Sequence, residues 1–304
     1  MSGPVAVLGE ALIDLVGCGE NLYRAHAGGS GFNTAIGLAR LGLATAYSGG
    51  LSRDAQGRRL AEDLGREGVE LSGVLASDQP SPVVLVQTDS AGQPAYSLHL
   101  AGTALDEAPG CWTLPPDAMH AHATSFACTL GMSGAAALAT LAQARGRITT
   151  SFDPNVRPAI LPDREATLAL LAERVALSDV IKVSAEDLVF LTGTEDGGAL
   201  IGDWLSLGVK LLVRTEGARG ATAFVNGQQV FVAAPAVAVR DTIGAGDSFM
   251  AALLARMAEE GRLGHGGLDA SREDAARWLA FAAQAAAVTC SRAGADPPRR
   301  AELA

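Results

Sequence analysis

Apolar residues fall in short runs broken by glycine, proline and polar turns, and two periods alternate along the chain. Val5-Ala-Val-Leu-Gly-Glu-Ala-Leu-Ile-Asp14 reads as a buried opening strand with a carboxylate, Asp14, at its far end. Ile36-Gly-Leu-Ala-Arg-Leu-Gly42 is a helix ended by glycine, and Leu60 to Gly68 is a second helix. Val83 to Asp89 and Pro94 to Leu100 are β-rich runs around Ser90-Ala-Gly-Gln, which predicts a hairpin over about 83–101. From about Thr124 the periods alternate: a helix over Ser133–Arg145, strands at Ile148–Asp153, Val180–Val183 and Leu211–Val213, and a hairpin at Asn226-Gly227. Ala236-Val-Ala-Val239 reads as the end of a strand. Ser248 to Ala258 is a buried helix whose one charge is Arg256, and Glu273 to Thr289 is a long Ala-rich helix. This βα rhythm predicts an α/β fold with a mostly parallel central sheet in one domain, 1–304, and a hairpin inserted where a βα unit is expected.

Composition narrows the classes. The 304 residues are 48% hydrophobic, ample for a full core. A net charge of −10 argues against nucleic acid and anionic membrane partners, without forbidding a small anion in a local pocket. Cys18, Cys111, Cys128 and Cys290 have no metal-ligand spacing and read as reduced thiols of a cytoplasmic protein. The N-terminus lacks a basic start and reads as a strand, not a signal peptide, and no apolar run is long enough to span a bilayer. There is no G-x-x-x-x-G-K-[ST] loop, no H-E-x-x-H and no early dinucleotide fingerprint.

The candidate chemistry lies late, at Asp241-Thr242-Ile243-Gly244-Ala245-Gly246-Asp247-Ser248. A turn of small residues delivers the N-terminus of a buried helix. The first N–H groups of a helix lack intrahelical partners and favour an anion, and Gly244, Ala245 and Gly246 let it approach the backbone. Asp247 would repel a phosphate, so it makes sense as a base for an incoming hydroxyl, or as a simple helix cap. Early in the chain, Ala27-Gly28-Gly29-Ser30-Gly31-Phe32-Asn33-Thr34 leads into a helix, and Asn33 offers a hydroxyl both a donor and an acceptor.

The late string Asp-Thr-Ile-Gly-Ala-Gly-Asp-Ser-Phe-Met-Ala-Ala closely resembles the C-terminal signature of the ribokinase-like (PfkB) carbohydrate kinases. The Gly28-Gly29…Asn33 stretch resembles their N-terminal signature, about 200 residues earlier. Phe152-Asp-Pro-Asn-Val-Arg157 and the helix at Ile36 resemble the fructokinase branch. The resemblance implies a three-layer α/β/α sandwich in which the 83–101 hairpin is a β-lid that can also serve a homodimer. It implies ATP and a small sugar as ligands, fructose first, with 2-keto-3-deoxygluconate or another sugar or nucleoside as the alternative. A non-catalytic sugar-binding protein on this fold, and a nicotinamide oxidoreductase on a doubly wound sheet, are rivals from other classes.

Carried over by resemblance, Asp247 is the catalytic base, with Gly244, Ala245 and Gly246 as anion hole and Arg157 facing the phosphates. Asp14, Gly28, Gly29 and Asn33 hold the sugar. Thr215, Gly217 and Gly220, in Thr-Glu-Gly-Ala-Arg-Gly, with Gly244, Gly246 and Gln284, line the nucleotide. Asp187 corresponds to the acidic residue that reaches magnesium through water, and Asp241 is the candidate for a monovalent cation such as potassium. His99 is a candidate sugar contact.

Overall fold

The structure, a computed structural model, describes residues 3–19, 22–88, 94–161 and 163–303. The chain opens with β1 (Val5–Leu8), β2 (Leu12–Gly19) and β3 (Leu22–Gly28), then α1 (Ser30–Arg40), β4 (Thr45–Ser48), β5 (Gly50–Ser52) and α2 (Ala55–Arg66). Next come β6 (Leu75–Ser77), β7 (Val83–Thr88), β8 (Pro94–His99), β9 (His120–Thr124) and α3 (Gly131–Ala144). Strands and helices then alternate through β10 (Thr149–Asp153), α4 (Arg164–Val175), β11 (Val180–Ser184), α5 (Ala185–Thr192), α6 (Leu200–Ser206) and β12 (Leu211–Thr215). A hairpin, β13 (Gly220–Val225) and β14 (Gln228–Ala233), precedes α7 (Ala245–Glu259) and α8 (Arg272–Cys290).

The central sheet has eight strands in the order β14-β13-β12-β11-β10-β9-β1-β4. β4, β1, β9, β10, β11 and β12 are parallel, and the β13–β14 hairpin closes one side antiparallel. Alternate side chains therefore feed two layers. Val5, Val7, Leu211 and Val213 pack with residues of α1, α2, α7 and α8 on one face. Leu8, Ala123, Phe152 and Ile181 pack with α3, α4, α5 and α6 on the other. The parallel strands put their carboxyl ends along one edge, where ligands of open α/β sheets bind.

The expected 83–101 hairpin is half of a second sheet. β7 and β8 join β2 and β3 in the order β3-β2-β7-β8, and a small cluster of Leu12, Val84, Leu105 and Phe126 seats it on the body. The Ser90–Gln93 turn lies outside the described residues. The opening strand thus differs from expectation: it stops at Leu8, and Asp14 belongs to β2 of the second sheet. The break falls at Gly9-Glu10, where the chain turns between sheets. Ala236–Val239 is not a strand either; it is extended loop, with Val237 37% and Val239 62% exposed and no sheet neighbour.

Close approach of α1 to β1 sets the position of the N-terminal half. A Cβ on Gly9 would stand 2.9 Å from Gly31 Cα, and one on Gly31 would stand 2.8 Å from the Gly9 backbone. Neither backbone can yield. Gly31→Ala is expected to cost about 1–3 kcal/mol in urea unfolding. Gly65→Ala in α2, where a Cβ meets nothing within 4 Å, is expected to be neutral or to stabilise by about 0.5–1 kcal/mol.

Candidate active site

α1 and α7 lie side by side with their N-termini at the carboxyl edge of the sheet. α7 begins at Gly244, whose left-handed backbone (φ 74°) turns the chain into the helix. A side chain there would meet Ala295 Cβ at 2.5 Å, so glycine is required twice over. Ala245 N–H donates to Thr242 O at 3.2 Å and Ser248 N–H to Gly244 O at 2.9 Å. Among the described residues, Gly246 and Asp247 N–H have no protein acceptor. Of the N–H groups expected to form an anion hole, those of Gly246 and Asp247 are left open to a ligand, and Ala245 N–H is used within the turn. Gly246 is exposed, so this turn faces solvent.

Asp247 is only 7% exposed, yet its carboxylate does not face apolar core. Asn33 Nδ2 donates to its Oδ2 at 2.8 Å. Burial pushes the carboxyl up to about 6; the Asn33 hydrogen bond and the charges of Lys182 and Arg157 act downward, and Asp153 adds to the rise. An acid poised near 6 is ionised at neutral pH and is a stronger base than a free aspartate.

Lys182, in mid-strand on β11, holds Asp153 at the end of β10 through a 2.7 Å ion pair, both side chains being nearly inaccessible. Burial pushes the lysine's pKa down; the Asp153 carboxylate, helped by Asp187 and Asp247, more than offsets this and holds it above its ordinary value. Lys182 Nζ lies 3.4 Å from where a Gly246 side chain would begin, so the ammonium sits against the turn that opens α7.

The expected sugar side is also assembled. Gly29, the N-cap of α1 (φ 104°), approaches Glu10 O so closely that a Cβ would stand 2.5 Å from it. Asp14 is half-buried on β2 and crosses to Gly28, where a Cβ would stand 2.4 Å from Asp14 Oδ2. Burial pushes Asp14 up to about 6, against the charge of Arg157. Arg157 is exposed, donates to Val156 O at 3.1 Å, and draws down the carboxyls of Asp14, Glu10 and Asp247 alike. It is therefore near enough to Asp14 and Asp247 for its charge to be felt at both.

Other expected residues are more dispersed. Thr215 ends β12, with Gly217 (φ 57°) and Gly220 (φ 130°) forming the following turn. Gln284 is half-buried on α8. Asp187 is part of a capping box at the start of α5: its Oδ2 accepts from Ser184 N at 2.9 Å and its Oδ1 from Val156 N at 2.8 Å. Asp241 ties the loop before α7 to the loop after α8, accepting from Ile243 N at 3.0 Å and Gly294 N at 2.8 Å. His99 is exposed on β8. Among the described residues no group of three or more His, Cys, Asp or Glu side chains is placed to hold a metal.

Sequence reasoning missed Glu10, Asp153 and Lys182. The signal was present: single charges inside or just beyond apolar strands, which are rarely buried unless paired. Glu10 accepts from Ser30 N at 2.8 Å, its main-chain oxygen accepts from Phe32 N at 3.1 Å, and burial pushes its carboxyl up to about 7. It fastens the start of α1, and with it Asn33.

The sequence pattern of the pfkB family carbohydrate kinases matches residues 4–301. The fructokinase of Rhizobium leguminosarum bv. trifolii is 35% identical over 255 residues, 82% of this chain and 78% of that protein. A fructokinase of Xylella fastidiosa with bound ATP superposes with a TM-score of 0.86 at 25% identity, covering 100% of this chain and 97% of the other. A fructokinase double mutant of Vibrio cholerae O395, in a form bound to fructose, ADP and potassium ion, gives 0.80 at 27% identity, covering 96% and 94%. No helix among the described residues is long and apolar enough to cross a membrane.

Two pH effects follow from the buried carboxyl. Asp247 must be ionised to accept a proton, so kcat/KM is expected to fall as pH drops through about 6. Asp14→Asn should leave the acid limb of kcat in place. The folded pKa of Asp247 lies above its ordinary 3.8, so its charge opposes folding above about pH 6 and the penalty fades toward pH 4. Asp247→Asn is thus expected to raise the melting temperature at pH 8, with the gain shrinking below pH 5, as read by thermal denaturation across pH.

Proposed function

The chain belongs to the pfkB family of carbohydrate kinases, and on that premise we propose that it is a fructokinase working through Asp247. It is an ATP-dependent sugar kinase. The observation that carries the finer reading is the Asn33–Asp247 hydrogen bond, 2.8 Å long, at the mouth of an N-terminal helix turn with two outward N–H groups.

The sugar lies between Asp14 on the second sheet and the Gly28-Gly29…Asn33 segment, its hydroxyls shared between carboxylate and amide. Asp247 Oδ accepts the proton of the reacting hydroxyl while Asn33 keeps the carboxylate oriented. The hydroxyl oxygen forms a bond to the γ-phosphorus of ATP as the bond from that phosphorus to the bridging oxygen breaks, and ADP leaves. Negative charge on the equatorial oxygens is met by Gly246 and Asp247 N–H, with the Lys182 ammonium beneath the turn and Arg157 at the junction with the sugar. Thr215, Gly217, Gly220, Gly244 and Gln284 line the nucleotide.

Magnesium, when carried on the ATP phosphates, supplies charge neutralisation, and Asp187 would reach it through water. Both Asp187 oxygens already accept a backbone N–H, which leaves lone pairs for water and suits an outer contact better than direct ligation. Asp241 and the loops it ties are the proposed seat of a monovalent cation. The second sheet serves as a lid over the sugar, and its exposed Leu22 (63%) and Tyr96 (55%) suit a homodimer contact. A cytoplasmic setting agrees with the four free cysteines.

Coupled ADP release across a panel of sugars tests the substrate. Fructose is expected to give the highest kcat/KM; a preference for an acidic sugar would overturn fructose and leave Asp247 as base. Asp247→Asn should lower kcat by about 10²–10⁴ with ATP and sugar still binding by calorimetry. Asp14→Ala should weaken sugar binding and leave ATP affinity unchanged.

A further inference from the structure

Beneath α1 the helix-facing side of the sheet carries a file of polar side chains that the reaction above does not use. Thr149 Oγ1 lies 2.8 Å from His120 Nδ1, His120 Nε2 lies 2.7 Å from Ser151 Oγ, and Ser151 Oγ lies 2.8 Å from His122 Nδ1. The strand register explains the file. His120 pairs with Thr149 and His122 with Ser151 across β9 and β10, and alternate residues share a face.

The file has a direction. Thr149 gives its one proton to Met119 O at 3.3 Å and receives Gly264 N–H at 3.1 Å. In that arrangement its remaining lone pair is left for His120 in the Nδ1–H form. His120 Nε2 then accepts from the Ser151 hydroxyl, Ser151 accepts from His122 Nδ1–H, and His122 Nε2 is left as a bare acceptor. Burial keeps both imidazoles neutral: His120 is pushed down to about 3, and His122 well below its ordinary value, with His120 and Lys182 adding to the effect.

Three buried atoms near the end of this file have no hydrogen-bond partner among the described residues: His122 Nε2, Thr124 Oγ1 and Thr34 Oγ1. Their residues are 0%, 0% and 1% exposed. Thr124 is the next residue on the same face of β9. Thr34 is one turn along α1 from Gly31, and Gly31 Cα and Thr124 Cγ2 both come within 2.9 Å of the same point above Gly9. α1 starts at the carboxyl edge and runs down the sheet, so the turn after Gly31 lies over the row of His122. One buried acceptor and two buried hydroxyls, all unpartnered and on the facing sides of α1 and β9, are the partners a buried water takes, which on average makes about three hydrogen bonds.

We infer that an ordered water between α1 and β9 joins His122 Nε2, Thr124 Oγ1 and Thr34 Oγ1. It donates to the imidazole and accepts from the threonine hydroxyls. Through it His122 and Thr34 are positioning residues for the reaction. Thr34 neighbours Asn33, and the water fixes the rotation of α1 that aims the Asn33 amide at Asp247. The kinetic part of this inference rests on Asp247 as base; the water and the tautomer do not.

A crystal structure of the protein without substrate, at a resolution that shows ordered water, is expected to place one water on these three atoms. Long-range ¹⁵N–¹H spectra of labelled histidine are expected to show His122 neutral with its proton on Nδ1. Thr34→Val, which keeps the shape and removes the hydroxyl, should lower kcat about tenfold with little change in the KM for ATP, and Thr34→Ser should restore it. A dry space, His122 protonated on Nε2, or a Thr34→Val enzyme with unchanged kcat would each overturn the proposal. An inactive enzyme that still shows the water and the Nδ1–H tautomer would instead count against the kinase mechanism, leaving the water assignment in place.

Discussion

The bond from Asn33 to Asp247 spans 214 residues and joins the starts of two helices. Much of the N-terminal half serves to make it possible. Glycines at 9 and 31 let α1 approach β1 at backbone distance. Glu10 pins the first turn of α1 through Ser30 and Phe32. On the other side, Gly244 takes the left-handed conformation that swings α7 in beside α1. A shift of either helix would leave a buried carboxylate without its one side-chain donor, and that loss is large when solvent cannot replace it.

The same place concentrates charge that the fold would otherwise expel. Glu10, Asp153, Asp187 and Asp247 are all buried, against one buried ammonium, Lys182, and the exposed guanidinium of Arg157. Several buried carboxyls of one sign are costly, and burial accordingly pushes those of Glu10, Asp153 and Asp247 above their ordinary values. That cost is what raises the proton affinity of Asp247 above that of an ordinary aspartate, as the proposed role of base requires. It also explains the expectation that Asn at 247 gains stability while losing function, a trade common where a site stores unfavourable electrostatics.

Legibility differed between the two halves of the site. The Gly244–Asp247 string announced itself because its physics is local: small residues, a helix start and a carboxylate in four consecutive positions. Gly28, Gly29 and Asn33 were readable for the same reason. Asp14 was placed on the wrong element, because the apolar run through Gly9-Glu10 conceals a change of sheet. Ala236–Val239 alternated like a strand, yet no neighbour among the described residues pairs with it and its valines face solvent. Lys182, Asp153 and Glu10 were passed over, since a lone charge near an apolar run looks the same whether it is paired or not.

The amino-acid sequence alone determined the α/β class, the helix that begins at the Gly-Ala-Gly turn, the hairpins and the family, since period, turn chemistry and a contiguous signature are properties of neighbours along the chain. Only the tertiary structure decided that the second sheet has four strands, that Asp14 stands on it, that Lys182 sits against the Gly246 turn, and that Asp247 is pushed up to about 6. Those depend on which residues meet across the sheet and how far water is kept away. Burial and pairing are set by contacts between distant segments, and no local pattern encodes them.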